Sequence, residues 1–364
     1  MTTSELPGTR PVPSPSGDRE DEHRWLVRVW VLVAVFSLIT LAWSLHVGIP
    51  VKDPHGAIFL TRVAISVGLF GPMVLIDAAI RVGRGDLSWS GVRATVRERW
   101  TRRRLLLAAS ALLAYHVVYF NYHNLKSWDV LNSPRDTMLL AWDRWLFFGH
   151  SPAVLLHDLL GQHVAAIVLT FLYESFGTMV LIAIPMPLVF ATRIRDGYVA
   201  ITAALWVWMM GVGSYYLIPS LGPFHSAPQE FAGLTRTSIQ DTQARYLAQR
   251  AHLLADPQAH DAFAQVSAFA SLHVGVTCLI VLMCHYYGLR RLTQVLGVFL
   301  LTTIVATVYL GWHFFVDDVA GLAIAFLAVQ LGRRMIYPAG RPARASTTGG
   351  DLPTGDPAHG ESSP

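Results

Sequence analysis

The sequence predicts an all-α fold: a polytopic membrane helical bundle of about eight transmembrane helices. Three observations lead there. Apolar residues make up 53% of the 364-residue chain and charged residues only 14%, where a soluble domain carries about 25% charged residues. Eight apolar stretches can each cross a bilayer, because a helix rises ~1.5 Å per residue through a hydrocarbon core ~30 Å thick. Arginines crowd alternate connections between these stretches, the asymmetry that sets orientation in a membrane.

The chain opens with a polar Pro/Ser-rich leader, 1–22, whose composition predicts disorder. The first stretch, 25–48, has no small-residue cleavage site before the next span, which argues against a signal peptide. The second, 57–81, runs into a connection holding Arg81, Arg84, Arg93, Arg97, Arg99, Arg102, Arg103 and Arg104. A third, 104–123, is followed by connection 124–162, in which 143–158 suits a position along the membrane interface. The fourth, 163–192, carries Glu174 near its middle and ends at Arg193 and Arg195. After the fifth, 197–218, comes a long connection, 219–267. It starts with the turn-like Pro219-Ser220-Leu221-Gly222-Pro223 and includes a helical segment, Ile239 to Leu254, with Asp241 and Arg245 at i, i+4. A lid over a site and a passive surface helix both fit that segment. The sixth stretch, 268–287, ends at Arg290 and Arg291, the seventh is 292–310, and the eighth is 314–335. Arg333, Arg334, Arg341 and Arg344 follow, in and before a Pro/Gly/Ser/Thr-rich tail, 338–364, that also reads as disordered. No internal repeat is visible.

By the positive-inside rule the arginine-bearing connections are cytoplasmic, and both termini with them, the leader contributing Arg10, Arg19, Arg24 and Arg28. The expectation is a multi-pass plasma-membrane protein whose connections 124–162, 219–267 and 311–313 lie on the extracytoplasmic side. These carry or adjoin Lys126, the Ser271/His273 segment and His313, so a site built from separate parts of the chain is expected at that face. The basic isoelectric point is then largely topological, with some attraction to anionic lipid head groups. No basic patch interleaved with exposed aromatics lies outside the spans, which argues against nucleic-acid binding.

The candidate chemistry sits at two helix starts. Trp312-His313-Phe314-Phe315-Val316-Asp317-Asp318 opens the eighth stretch, and Ala270-Ser271-Leu272-His273 opens the sixth. His313 and Asp317 are four residues apart and share a helix face, so the carboxylate can hold the ring, fix its tautomer and support an imidazolium. That is the wiring of a nucleophile or general base. An interfacial helix end can also produce HxxxD by chance; the second histidine at the same membrane edge shifts the weight toward a reaction centre. Ser271 suits an N-cap, and a helix N-terminus offers free N–H groups and partial positive charge to a phosphate.

Ser271-x-His273 and His313-x-x-x-Asp317 resemble the second and third motifs of the type 2 phosphatidic acid phosphatase superfamily, the lipid phosphate phosphatases. The strings Phe269-Ala270-Ser271-Leu272-His273-Val274-Gly275 and Tyr309-Leu310-Gly311-Trp312-His313-Phe314-Phe315-Val316-Asp317 look most like its inositol-phosphorylceramide-synthase-like, or inositolphosphotransferase, branch. Tyr215-Tyr216-Leu217-Ile218-Pro219 is similar to that branch as well. The resemblance covers about 120–335 and implies a six-helix catalytic domain, 105–337, preceded by two additional helices and a basic connection, 23–104. It implies a reaction without metal or cofactor on a lipid phosphate or phospholipid, through a phosphohistidine. In that scheme His313 attacks phosphorus, Asp317 steadies the imidazolium, His273 protonates the departing alkoxide and Ser271 binds a phosphoryl oxygen.

The pattern departs from the family in three places. Its first motif is Lys, six residues, Arg-Pro, whereas here Lys126 is followed by Ser133-Pro134-Arg135; Lys126 and Arg135 are the candidate phosphate ligands. Ala306-Thr307-Val308 stands where the third motif carries Ser-Arg, and Ala270 stands where proline is usual. Fewer basic ligands favour a monoanionic phosphodiester donor, or a supplementary cation from elsewhere in the chain.

Glu174 is expected to face the bundle interior, binding an acceptor hydroxyl or pairing with another polar group, because a carboxylate in a span costs several kcal/mol unless satisfied. Asp318 lies about 100° round the helix from Asp317 and reads as a surface or substrate-lip residue. Trp128, Trp142, Trp145 and Trp312 fit an interfacial aromatic belt. His116, His150, His157, His163, His225, His252, His260 and His285 read as satisfied polar residues. Cys278 and Cys284, six apart, imply neither disulfide nor metal site. Two other functions compete: a transporter, which would need polar residues along a path across the bilayer, and a metal-dependent hydrolase using His273, His313 and Asp317 as ligands. Nothing in the sequence indicates an oligomeric state.

Overall fold

The structure is a computed structural model that describes residues 15–83 and 87–340, the first seven of them as backbone alone. The leader up to residue 14, Arg84 and the tail from 341, with Arg341 and Arg344, lie outside the described residues. The described chain is helical. In order it forms α1 (Pro15–Val47), α2 (Leu60–Val82), α3 (Trp89–Arg99), α4 (Arg102–Trp128), α5 (Asp136–Leu146), α6 (Pro152–Leu160), α7 (Val164–Ala183), α8 (Met186–Phe190), α9 (Ile194–Leu217), α10 (Pro223–Ser226), α11 (Ser238–Ala255), α12 (Leu272–Tyr286), α13 (Arg290–Tyr309) and α14 (Phe315–Ile336).

Each of the eight apolar stretches becomes a helix, and seven are long and apolar enough to cross a membrane. The sixth, α12, has only 15 residues. Its start is later than the apolar run because residues 262–271 run without helix and Ser271 caps at the end of them, its Oγ accepting from Val274 N at 3.4 Å. Other ends are set by similar chemistry: Thr101 caps α4, Ser88 caps α3, and α11 starts with a Thr237/Gln240 capping box.

The bundle is built round α9. In its most apolar window 72% of residues are buried, against 28% in the spans of α1, α2, α7 with α8, and α13. It packs on α14, α4, α12 and α8. Lipid tails are as apolar as leucine, so tight backbone approach between small residues drives such packing. A Cβ at Gly332 of α14 would come within 2.8 Å of Ala203 N on α9, and one at Gly211 of α9 within 2.5 Å of Leu272. α1 lies against α4, and α2 against α3, α4, α7 and α8, so the two N-terminal helices are integral to the bundle.

Arginines gather at one end. Arg28 donates to Met335 O, Arg195 to Ile336 O, Arg99 to Val189 and Ala191 O, and Arg104 to Ala191 and Thr192 O. Asp77 takes both Arg81 and Arg99. These cations serve free carbonyls at the C-termini of α8 and α14, as helix dipoles favour. The starts of α12 and α14 lie at the opposite end.

Candidate active site

Two close-packed helix starts build the site. α12 and α14 approach so closely at Gly275 and Gly321 that a Cβ on Gly321 would collide with the Ser271 carbonyl. Ser271 N in turn donates to Asp317 O at 2.9 Å. Four residues, Leu310 to His313, connect α13 to the N-cap Phe314 of α14. Trp312 N and His313 N both donate to Thr307 O, at 3.0 and 3.2 Å, and Gly311 takes φ +77°. Phe314 N donates to Asp317 Oδ2 at 2.9 Å, closing the first turn of α14. His313 is therefore held by tied backbone on both sides.

His313 is 5% exposed, and its Nδ1 lies 2.9 Å from Ala268 O and 3.5 Å from Asp317 Oδ2. A carbonyl can only accept, so Nδ1 carries the proton and Nε2 is left with its lone pair. The expectation that Asp317 holds the ring is thus corrected in part: Ala268 makes the short bond, and Asp317 contributes nearby charge while capping α14. Burial pushes the His313 pKa down to about 4, Asp318 and the Ala268 bond opposing and Lys126 pushing further. The ring is neutral at physiological pH.

The His273 ring centroid is 5.8 Å from that of His313. Tyr173 stacks on it at 4.3 Å, Phe176 packs at 4.4 Å, and Tyr173 also stacks parallel to Trp312 at 5.8 Å. Trp312, with Phe224 and Tyr246 against it, is a buried wall of the site and not part of an interfacial belt. Trp128 is buried too, whereas Trp142 and Trp145 are exposed.

Asp318 is 1% exposed, which overturns its reading as a lip residue. Its Oδ2 accepts from Thr307 Oγ1 at 2.9 Å, and it lies near Ser271 and His313. The first turn of α14 is covered by α12, α13 and α5, so both faces there are interior. Lys126 is half-buried, its Nζ 5.7 Å over the Tyr215 ring, and its charge reaches His313. Tyr215 and Tyr216 clamp α9 to α4 at that level, through Tyr122 Oη at 3.1 Å and Leu125 O at 2.7 Å.

Arg135 and Glu174 stand apart. The Arg135 side chain is exposed and its backbone N donates to Pro219 O. Glu174 is exposed on α7, accepting from Ser238 Oγ at the start of α11, and does not face the bundle interior. Asp241 pairs with Arg236, not with Arg245, which turns to Thr242. Four other histidines have ordinary partners: His116 with Ser66, His157 with Tyr309 O, His163 with Thr235, His252 with Asp261.

A set of residues invisible as motifs positions the two histidines. Asp143 of α5 accepts from Phe315 N at 2.8 Å and Val316 N at 3.0 Å, capping α14 from outside. Burial raises its pKa to about 6. Asp136, one face-repeat earlier, accepts from Ser220 Oγ, Leu221 N and Gly222 N. Gly222, at φ +105°, lets that turn touch Trp312 O. Asp129 takes Ser267 Oγ, Ser127 takes Ala264 N, and Ala268 N donates to Ser220 O, so the non-helical segment that presents Ala268 O is anchored along its length. The sequence signal was the alternation Asp136, Leu139, Asp143 at helical spacing, acids sharing a face with a buried leucine.

A cavity of about 690 Å³ lies between α7, α9, α12 and α13, lined by Met179, Val276, Leu279, Met283 and Leu296 among others. It begins one turn from Phe176 and His273 and runs toward the arginine end. Among the described residues no three His, Cys, Asp or Glu side chains converge as a metal-holding group.

A helical membrane bundle carries paired histidines at the starts of two abutting helices, and its family match makes it a phosphatase-like membrane protein. Residues 137–331 match the family model of the PAP2 superfamily, and the chain belongs to that superfamily. The matched span includes His273, His313 and Asp317 and begins after Lys126. Neither the curated proteins nor the solved structures yielded a match.

Proposed function

We propose that this protein is a lipid phosphatase or phosphotransferase that works through a phosphohistidine on a lipid-linked phosphate at the extracytoplasmic face of the plasma membrane. Transfer of an inositol-phosphate-type head group, as in the branch its motif strings resemble, is the specific reading. The observation that carries it is the His313 ring: Nδ1 spent on the Ala268 carbonyl, Nε2 unprotonated, and a second imidazole 5.8 Å away.

In this reaction the Nε2 lone pair forms the bond to phosphorus as the bond to the leaving alcohol breaks, and His273 gives that oxygen its proton. Water or an acceptor hydroxyl then attacks phosphorus, returning its proton to His273 and the bonding pair to Nε2. Asp317 and Asp318 balance the imidazolium, and Lys126 and the N–H groups at the start of α12 meet the phosphoryl oxygens. The apolar cavity beside α12 has room for a hydrocarbon chain. The arginine end, by the positive-inside rule, faces the cytoplasm.

The test is acid-quench trapping of labelled phosphoenzyme in chelator, on a panel of lipid phosphates and phosphodiesters, with and without acceptor lipid. Wild type should form an acid-labile, base-stable adduct, and His313→Ala should form none while losing turnover by roughly 10⁴-fold. Turnover retained in His313→Ala would sink the assignment. His273→Ala should slow poor leaving groups and spare activated ones.

A further inference from the structure

α2 carries Arg62 in its first turn, inside a predicted membrane span. Its guanidinium lies 5.6 Å from the Tyr119 ring, and among the described residues no carboxylate pairs with it. An unpaired cation within a span is costly and marks a site by default. It points inward: Tyr119 abuts His123 at 4.5 Å, and the Arg62 charge reaches Tyr246, whose ring packs on Trp312 beside His313. His123 Nδ1 is shielded from solvent and has no hydrogen-bond partner among the described residues. Tyr119, Tyr122, His123 and Lys126 fall at i, i+3, i+4 and i+7, one face of α4. That face runs from Arg62 to the reaction centre, a rise of about 10 Å between Tyr119 and Lys126.

We propose that Arg62, with His123, forms a second anion subsite beside Lys126, and that the preferred lipid head group carries a further phosphate about two helical turns from the reacting phosphorus. The proposal rests on the phosphohistidine reading of His313 for which phosphorus reacts. It also supplies the cation that the family's missing arginines leave wanting, from a helix outside the matched span. A planar guanidinium suits a phosphate bidentately, which a stacked Tyr119 would preorganise.

The experiment measures thermal stabilisation of the purified full-length protein, in zwitterionic nanodiscs, by inositol 1-phosphate and by inositol 1,4-bisphosphate. Wild type and His313→Ala should both bind the bisphosphate at least about tenfold more tightly than the monophosphate. Arg62→Gln should erase that difference and leave monophosphate binding unchanged, and Arg62→Lys should keep part of it. Equal affinities in wild type, binding of neither ligand, a preference that survives Arg62→Gln, or equal weakening of both ligands would each overturn the proposal. Because His313→Ala binds without reacting, loss of the catalytic assignment and loss of the subsite give different results.

Discussion

At the scale of single residues, part of the acid sensitivity of this protein should trace to His313. Below an ordinary pKa of ~6.5 the unfolded imidazole gains a proton, while the buried one stays neutral down to about 4. In that window the unfolded state binds more protons, so stability falls as pH drops from about 6.5 toward 4. The melting temperature of wild type should decline more steeply over this range than that of His313→Asn, and parallel slopes would refute the account. In activity, the acid limb assigned to the free nucleophile should lie near pH 4. The placements of His273, Ser271 and His313 at two helix starts were legible because helix-start motifs are local. Those of Ala268, Asp136, Asp143 and Asp318 were not. Their partners lie far away in sequence: Asp143 caps a turn 172 residues on, and Ala268 bonds a ring 45 residues on. An i, i+4 rule assigns Asp317 a face, but only the packing of three neighbouring helices shows that Asp318 also points into protein.

At the scale of elements, apolar run length sufficed to find the seven membrane-length spans and the shorter α12, since hydrophobic thickness imposes it. It did not reveal that α12 starts late, because the non-helical run 262–271 is as apolar as a span and is stabilised by Asp129, Ser127 and Ser220. The crossing of α12 and α14 depends on Gly321. Gly321→Ala would press a methyl group against the Ser271 carbonyl, and overpacking of this kind costs about 1–3 kcal/mol. The expected outcome is a folded protein with a lower melting temperature and kcat reduced at least tenfold, because both histidines ride on that contact. Gly297→Ala, where nothing lies within 4 Å, is the matched control and should be silent. Equal activity in the two variants would remove the crossing from the mechanism.

At the scale of the whole molecule, the arginines that tie down the C-termini of α8 and α14 sit at one end and the candidate chemistry at the other. The topology can be read directly, because the native Cys278 and Cys284 are buried. Phe148→Cys, at a position 94% exposed near the histidine end, should react with a membrane-impermeant maleimide in intact cells. A cysteine at Ser90, beside the arginine end, should react only after permeabilisation. The reverse pattern would turn the active site to the cytoplasm.

The shortness of α12 has a consequence for the surrounding lipid. Its 15 residues span only about 22 Å, roughly 8 Å less than an average hydrocarbon core. The deficit falls at the histidine end, where the first half of α12 is enclosed by neighbouring helices, so head groups must come down between those helices to reach the imidazoles. Turnover in the proposed reaction should then rise in membranes of 14-carbon lipids and fall in those of 22-carbon lipids, making acyl length a rheostat for this protein.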